Sequence, residues 1–259
     1  MLIKLIEDYN NDKLIVIFDA TRENFRNKIY PQYKANRGET PEDLIPQFDI
    51  IRECVDAFNI PQIEIEGYEA DDVLGSLSRI ATKQKVHVVI VTGDRDLLQL
   101  VNKDVSVSLP GQSLADAKLY SPSDVAQKFG VTPDQFVDYK SMVGDKSDNI
   151  PGVAGVGDKT ARRLLQQYLN LENIYSNLDK IEPRFQKKLV ANKENAFLSK
   201  KLAAIVTDLE LDFDLGACRA PAHGNFDIKK VEQLFRDLDF RTHLKKVAML
   251  ARDPIADVE

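Results

Sequence analysis

The sequence has 259 residues, 43% hydrophobic residues and a formal net charge of −6, which is ordinary for a globular protein with a packed core. Glu7 and Asp8 closely follow an apolar start, so this segment is neither a signal peptide nor a membrane-spanning helix. Cys54 and Cys218 lack metal-binding spacing, which argues against a zinc site and is typical of a reducing compartment. We therefore expect a cytoplasmic protein with free thiols and no membrane partner.

The first half of the chain has the pattern of an α/β domain. Residues 14–20 and 86–94 are short, β-branched and continuously apolar, as in strands buried on both faces of a mostly parallel sheet. Residues 41–58 and 69–84 place apolar side chains three and four positions apart. This spacing predicts helices around the strands.

A basic stretch at residues 22–37 contains five cationic residues and one acid, with Tyr30 and Tyr33 between them. Alternating aromatic and cationic side chains suit a groove that binds nucleic acid. Arg26 is therefore a candidate DNA contact despite the negative net charge of the chain. A second basic stretch, at residues 184–201, is explained equally well by a solvated helix face.

The second half of the chain is helical by its pattern, and no convincing strand is expected in it before residues 209–215. We predict an α/β core at residues 1–120, a helical part at residues 121–215 and a C-terminal extension at residues 216–259. The end of that extension, residues 251–259, is typical of a frayed terminus or a linker.

Acidic residues cluster at the ends of the predicted elements. The two predicted strands end in Asp19 and in the pair Asp94 and Asp96, and open α/β sheets build their sites at the carboxyl ends of strands. Two further groups lie at the start of a predicted helix and in a glycine-containing segment: Glu69, Asp71, Asp72, Asp145 and Asp148. Glu69 and Asp72 are three positions apart and are expected to share a helix face, with Asp71 pointing elsewhere.

Each acidic group taken alone has an ordinary structural explanation. Acids in a first helical turn cap the helix and stabilise its dipole, and Asp94 and Asp148 could belong to turns. Taken together, eight acids at the ends of buried elements are explained more simply by divalent cations with oxygen ligands. We expect two ions, Mg²⁺ or Mn²⁺, in a site for phosphoryl transfer.

Residues 149–168 contain a glycine turn followed by a basic helix. A nucleotide-binding phosphate loop does not fit, because Asp158 directly follows Gly157 and displaces the lysine by one position. The turn instead suits a helix-hairpin-helix, in which backbone N–H groups bind a DNA phosphate without reading bases. The DNA-binding residues expected there are Gly155, Gly157, Lys159 and Thr160.

Five motifs, in this order and spacing, resemble the 5′ nuclease family of bacterial polymerase-associated nuclease domains and stand-alone flap endonucleases. They are FDA, YKANR, YEADD, TGDRDLLQLV and MVGDKSDNIPGVAGVGDKTA. The resemblance implies a PIN-like α/β nuclease core with a helical arch over the site. It also implies a helix-three-turn-helix module that grips duplex DNA.

The resemblance further implies roles for individual residues. The eight acids would form one two-metal cluster, Lys34 and Arg37 would contact the scissile phosphate from one helix face of the arch, and Tyr33 would be available for base stacking. Family members begin with a strand that ends in an Asp-Gly pair, whereas residues 1–13 look like the helix that precedes the FDA strand. The first strand and its metal-binding aspartate are therefore expected to be missing, with reduced activity.

The resemblance implies a metal-dependent 5′-3′ exonuclease and 5′ flap endonuclease of DNA replication and repair. It would act as a monomer on 5′ flaps, duplex 5′ ends and nicks. Two alternatives remain open. A remnant of the family that binds DNA without cleaving it would contain the same motifs. A haloacid-dehalogenase-like phosphatase would use Asp19 as its nucleophile, but such a site needs an acid two residues later, where Thr21 stands.

Overall fold

A computed structural model of the chain describes residues 1–9, 13–21, 23–111, 116–218 and 225–250. The chain divides into two compact units, the first built from residues 1–20, 39–65 and 211–259 and the second from residues 21–38 and 66–210. The tail predicted at residues 251–259 lies outside the described residues. Among the helices of the described ranges, none is long and apolar enough to cross a membrane.

The regular elements are named here in chain order. The strands are β1 (Val16–Ile17), β2 (Gln62–Ile63), β3 (Val88–Val91), β4 (Val105–Leu109) and β5 (Lys118–Tyr120). The helices are α1 (Leu2–Asp8), α2 (Phe25–Ile29), α3 (Ile45–Ala57), α4 (Ala70–Lys83), α5 (Pro122–Phe129), α6 (Phe136–Val143), α7 (Asp158–Tyr168), α8 (Leu171–Ser176), α9 (Pro183–Ala191), α10 (Lys193–Ala203), α11 (Ile228–Asp237) and α12 (Arg241–Leu250).

The first unit joins three distant segments of the chain around one hydrophobic core. β1 pairs in parallel with β2, with Val16 opposite Gln62. Helices α11 and α12 pack their apolar side chains against α1 and against the end of α3. The buried residues of this core include Ile3, Ile6, Val55, Phe58, Val231, Phe235 and Val247. The predicted C-terminal extension is thus part of the same core as the first helix.

The second unit is built on a three-stranded sheet. β4 lies in the middle, parallel to β3 and antiparallel to β5. All residues of β4 are buried, and its valines pack in one core with side chains from α6, α7 and α9, among them Met142, Leu165 and Leu189. This packing fixes the end of β3, where the chain turns into a 3-10 helix at Arg95–Leu100.

The strand and helix predictions are confirmed in position, but the strands are shorter than the segments that predicted them. The segments at residues 14–20 and 86–94 contain β1 and β3, and those at residues 41–58 and 69–84 contain α3 and α4. No strand follows β5 in the described part of the chain, and residues 209–215 are not part of a sheet. β4 was missed because its sequence alternates serine with valine, although Ser106 and Ser108 are buried with the valines.

A buried ion pair between Arg26 of α2 and Asp72 of α4 ties the second unit together. Arg26 Nη1 and Nη2 donate to the two carboxylate oxygens of Asp72 at 2.7 and 2.8 Å, and these residues are 2% and 0% exposed. The guanidinium also donates to the carbonyls of Leu202 and Ala204, and Asp72 accepts from the N–H of Val206 at 2.8 Å. The pair therefore connects two helices with the chain that leaves α10.

Breaking this pair should strongly destabilise the protein. In Arg26→Met the Asp72 carboxylate stays buried without its cation, and loss of one partner of a buried pair costs about 3–5 kcal/mol. Arg184→Met, which removes an exposed ion pair with Glu182, should cost less than about 1 kcal/mol. Denaturant unfolding followed by circular dichroism measures both changes, and similar values for the two variants would contradict the importance of the buried pair.

Candidate active site

Seven of the eight predicted acids lie in the second unit, and all of these except the buried Asp72 gather at the ends of its elements. Glu69 is the N-terminal cap of α4 and Asp71 lies in its first turn. Asp94 caps the 3-10 helix that follows β3 and accepts the N–H of Asp96 at 2.8 Å. Asp145 and Asp148 lie in the loop between α6 and α7. Asp19 follows β1 in the first unit and is exposed.

In the second unit, Asp96 lies in a cluster of three carboxylates, and its charge also acts on Asp71. Carboxylate oxygens of Asp96, Asp145 and Asp148 lie within 4.8 Å of one another, close enough to hold one metal ion. Burial and the charges of Asp94, Glu69 and Asp96 raise the pKa of Asp71 to about 7. Burial also raises the pKa of Asp96, although Lys140 opposes the shift. Asp96 therefore belongs to the cluster and to the electrostatic surroundings of Asp71.

Lys140 of α6, which the sequence analysis did not identify, lies between two of these acids. Its side chain is 9% exposed, and its Nζ donates to both oxygens of Asp96 and lies 2.7 Å from Asp145 Oδ2. Burial opposes protonation, but the two carboxylates raise the pKa of Lys140 above its ordinary value. At Asp145 burial favours a higher pKa, but the hydrogen bonds from Lys140 and Ser147 outweigh it, and the pKa is lowered to about 2. No sequence motif marked this lysine, because its role depends on the packing of α6.

The cationic turn at residues 32–37 borders the acidic site. Lys34 Nζ donates to Glu69 Oε1 at 2.5 Å, and Arg37 Nη2 donates to Asp148 Oδ1 at 2.6 Å. The prediction that Lys34 and Arg37 share a helix face is wrong, because this segment consists of turns and Lys34 has a left-handed φ of 53°.

Tyr33 does not present its ring for base stacking in this structure. The residue is 3% exposed, and its hydroxyl donates to Glu69 Oε2 at 3.0 Å. Burial and the negative charges of Glu69 and Asp148 raise the pKa of this phenol far above its ordinary value. Tyr33 therefore acts as a neutral donor that orients Glu69.

Arg26 and Asp72 also differ from their predicted roles. The Arg26 guanidinium is buried against Asp72 and two carbonyls, so it is not available to a DNA phosphate. Asp72 uses both oxygens for Arg26 and for the N–H groups of Glu69 and Val206, which contradicts its prediction as a metal ligand. The helix-cap explanation is correct for Asp72, and it is Asp71 that faces the other acids.

The predicted DNA-binding turn precedes α7. Gly155 has a left-handed φ of 77°, and its carbonyl accepts from Lys188 Nζ at 2.8 Å. Gly157 caps α7, and Gly157 and Lys159 are exposed whereas Thr160 is half-buried. Helices α6 and α7 contact each other on either side of residues 144–157, and the helix-hairpin-helix role of this turn stays a prediction.

The second basic stretch has both structural and exposed cations. Lys200 bridges Asp138 of α6 and Glu172 of α8, so it holds helices together. Lys187, Lys193 and Lys201 are exposed on α9 and α10. The solvated-face explanation therefore fails for Lys200, whereas the other three remain open to solvent and to a polyanion.

Comparison with known proteins gives the same assignment along nearly the whole chain. Residues 1–130 match the family described as 5′-3′ exonuclease, N-terminal resolvase-like domain. Residues 131–224 match the family described as 5′-3′ exonuclease, C-terminal SAM fold. These two matches meet between residues 130 and 131, and both this junction and the domain boundary predicted at residue 121 fall inside the second unit of the structure.

The sequence is 42% identical to DNA polymerase I of Caldicellulosiruptor bescii over 251 residues and 40% identical to that of Bacillus caldotenax over 248 residues. The alignments cover 96% and 95% of this chain, and the chain spans 29% and 28% of the two polymerases. The fold is similar to that of the bacteriophage T5 flap endonuclease in a complex with DNA and metal ions, with a TM-score of 0.65, 23% identity and coverage of 96% of this chain and 88% of that one. The family matches and the relatives named here do not support the phosphatase alternative. The chain therefore belongs to the 5′-3′ exonuclease family.

Proposed function

We propose that this chain is a divalent-metal-dependent nuclease that hydrolyses DNA phosphodiesters at 5′ flaps and at the 5′ ends of duplex DNA. The observation that carries the proposal is the cluster of Asp96, Asp145 and Asp148, whose carboxylate oxygens lie within 4.8 Å of one another. Besides burial, the charges of Asp94 and Asp96 raise the pKa of Asp71, which makes Asp71 and Asp94 the candidates for a second acidic group next to this cluster. Two adjacent acidic groups suit a pair of neighbouring divalent ions.

The donor set fits a hard cation such as Mg²⁺ or Mn²⁺, because every candidate ligand is a carboxylate oxygen. Asp96, Asp145 and Asp148 would hold one ion, and Asp71 and Asp94 would contribute to the other. Such ions supply an activated water and neutralise charge on the phosphate. Lys140 supports this set, because it holds Asp96 and Asp145 in fixed positions.

The cations of the turn would act on the scissile phosphate. Lys34 and Arg37 form ion pairs with Glu69 and Asp148 at the border of the acidic site. A bound phosphate would compete with these carboxylates for the two cations. Arg37 is 54% exposed at its side chain, so it can turn to the phosphate without a change in the core. Fixed cations at this place stabilise the charge that develops in the transition state.

Duplex DNA would be bound through phosphates rather than bases. The exposed Gly157 and Lys159 at the start of α7, with Lys187 and Lys201 on α9 and α10, offer donors for a sugar-phosphate backbone. We propose a monomer that acts in the cytoplasm on flaps, nicks and duplex ends, with an affinity that falls steeply as salt rises.

The direct test uses a labelled 5′ flap substrate and the purified chain. Cleavage in Mg²⁺ and none in EDTA is the expected result. Flap binding without cleavage in Mg²⁺ or Mn²⁺ would favour a DNA-binding remnant of the family. Absence of both binding and cleavage would refute the proposal.

Asp96→Asn should remove most of the metal-dependent chemistry, because the substitution removes a charge from the three-carboxylate cluster and from the surroundings of Asp71. We expect the single-turnover rate to fall by at least about 10²-fold, with the Mn²⁺-induced rise in melting temperature also lost. Asp134→Asn changes an exposed acid of another segment and serves as the control. A Mn²⁺ shift that survives in Asp96→Asn would contradict the role of Asp96 as a metal ligand.

Asp71→Asn should change the pH dependence of stability in EDTA. A folded-state pKa of about 7, above the unfolded value of about 4, means that the wild-type protein loses stability as pH rises from about 4 to about 7. The variant lacks this loss, so at pH 8 it should be more stable than the wild type by roughly 1–4 kcal/mol, since one pKa unit is worth ~1.4 kcal/mol.

At pH 4 the same comparison should show little gain, because the carboxyl is protonated in the folded state and still about half protonated in the unfolded state. Urea unfolding at the two pH values measures the difference. A gain of equal size at pH 4 and pH 8 would show that titration of Asp71 is not its cause.

Lys34→Ala should separate chemistry from binding. Loss of a fixed transition-state cation costs about 10²–10³-fold in rate, whereas flap affinity should fall by less than about threefold because phosphate contacts are many. Single-turnover cleavage and fluorescence anisotropy give the two values. Equal losses in both would make Lys34 a simple phosphate anchor.

A further inference from the structure

Two segments that carry the proposed chemistry are joined directly to each other. The backbone N–H of Lys34 donates to the carbonyl of Asp148 at 3.0 Å. The side-chain amide of Asn36 donates to the carbonyl of Lys146 at 2.7 Å, and that of Asn149 donates to the carbonyl of Gln32 at 2.7 Å. We call these three hydrogen bonds the interlock between the cationic turn and the acidic loop, residues 144–152.

The acidic loop has a fixed shape of its own. Asp145 and Ile150 exchange two backbone hydrogen bonds at 2.9 and 2.7 Å, and the N–H of Gly152 donates to the buried hydroxyl of Ser199. Gly144 and Gly152 have left-handed φ values, and a Cβ on Gly152 would lie 2.5 Å from the nitrogen of Gly144. The loop is therefore a rigid template to which the turn is attached.

The turn, in contrast, holds a conformation that its own sequence does not favour. Lys34 has a φ of 53°, a left-handed conformation that is unfavourable for a residue with a Cβ. Asn149, on the opposite side of the interlock, has a φ of 58° but belongs to the residue types that tolerate this region. The hydrogen bond from the Lys34 N–H to the carbonyl of Asp148 thus holds the lysine in this unfavourable conformation.

The interlock is independent of the charges in the site. All three of its hydrogen bonds end on backbone carbonyls. The ion pairs of Lys34 with Glu69 and Arg37 with Asp148 would instead change when a phosphate or a cation competes for the same groups. The interlock can therefore keep the turn in register while the ionic contacts exchange.

We propose that Asn36 and Asn149 are positioning residues, whose side-chain amides register the cationic turn on the acidic loop so that Lys34 and Arg37 stay at a fixed place beside Asp148. Neither amide contacts the reacting groups. This inference rests on the proposed nuclease function for its catalytic consequence, but the positioning itself can be measured without cleavage.

The test uses Asn149→Gly and Asn36→Ala. Glycine keeps the left-handed backbone without strain but also makes the backbone more flexible, so Asn36→Ala, which keeps the Cβ, is the second variant that removes an amide of the interlock. Asn177→Ala, which deletes an exposed amide bonded to the carbonyl of Asn173, is the matched control. Melting temperatures close to that of the wild type are expected for all three, because the bonds lost are few and lie at the surface.

The first readout is the reactivity of the Lys34 amine toward an acylating reagent in EDTA, followed by mass spectrometry. Lys34 has 24% of its side chain exposed, and Lys103, with 89% exposed, serves as the internal reference. Both interlock variants should label Lys34 at least about threefold faster relative to Lys103, since the loosened turn is more often open. Unchanged labelling in both variants would overturn the proposal.

The second readout is single-turnover flap cleavage with Mg²⁺ at saturating DNA. Each interlock variant should lose about tenfold or more in rate, because small misplacements of reacting groups are costly, while flap affinity stays within about twofold and Asn177→Ala is unaffected. In a Lys34→Ala background the loss from Asn149→Gly should shrink, because groups that act as a unit are not additive. Full additivity, or equal losses in rate and affinity, would overturn the positioning role.

The two readouts separate the two hypotheses. A wild-type protein that cleaves no DNA refutes the proposed function, whereas the labelling result still decides whether the amides position the turn. Wild-type cleavage with no rate loss in either variant refutes the positioning role alone.

Discussion

The ion pair of Arg26 and Asp72 is the constraint on which the candidate site depends. It connects α2, which leads into the cationic turn, with α4, whose first residues carry Glu69 and Asp71. A pair that is desolvated on both sides is costly to form unless its geometry is nearly ideal. Here two parallel hydrogen bonds and four backbone groups satisfy it. The buried pair thereby holds the segments that carry the cations and the carboxylates of the site in fixed positions.

The carboxylates of the site lie close together, and their mutual repulsion would oppose folding if no cations were beside them. Lys140, Lys34 and Arg37 each take a position against one or two carboxylates, which offsets part of the repulsion. The pKa of Asp71 is raised first by burial and then by the charges of Asp94, Glu69 and Asp96, which is consistent with repulsion that the cations only partly offset. Carboxylates that still repel one another favour the binding of cations, because each bound cation reduces the repulsion between them.

Spacing along the sequence predicted where chemical groups occur, but not which way they face. The ends of β3 and the start of α4 could be located because apolar periodicity stops there. That Asp71 and not Asp72 faces the other acids depends on Arg26, far away in sequence, and no local pattern encodes it. The same holds for Lys140, which lies in an ordinary helical segment, and for the burial of Tyr33, whose hydroxyl is held by Glu69. Tertiary partners decide orientation, and orientation decides the role.

The construction of the first unit from three segments sets an order of events during synthesis. All residues of the second unit have been made once the chain reaches residue 210, whereas the core around Ile3 and Phe58 needs α11 and α12 from beyond it. Contacts between such distant segments form slowly, because the chain loses the entropy of loop closure before these contacts stabilise the fold. During synthesis, the apolar side chains of α1 and α3 therefore stay exposed until α11 and α12 have been made. In this interval the chain is most prone to aggregation and most in need of a chaperone.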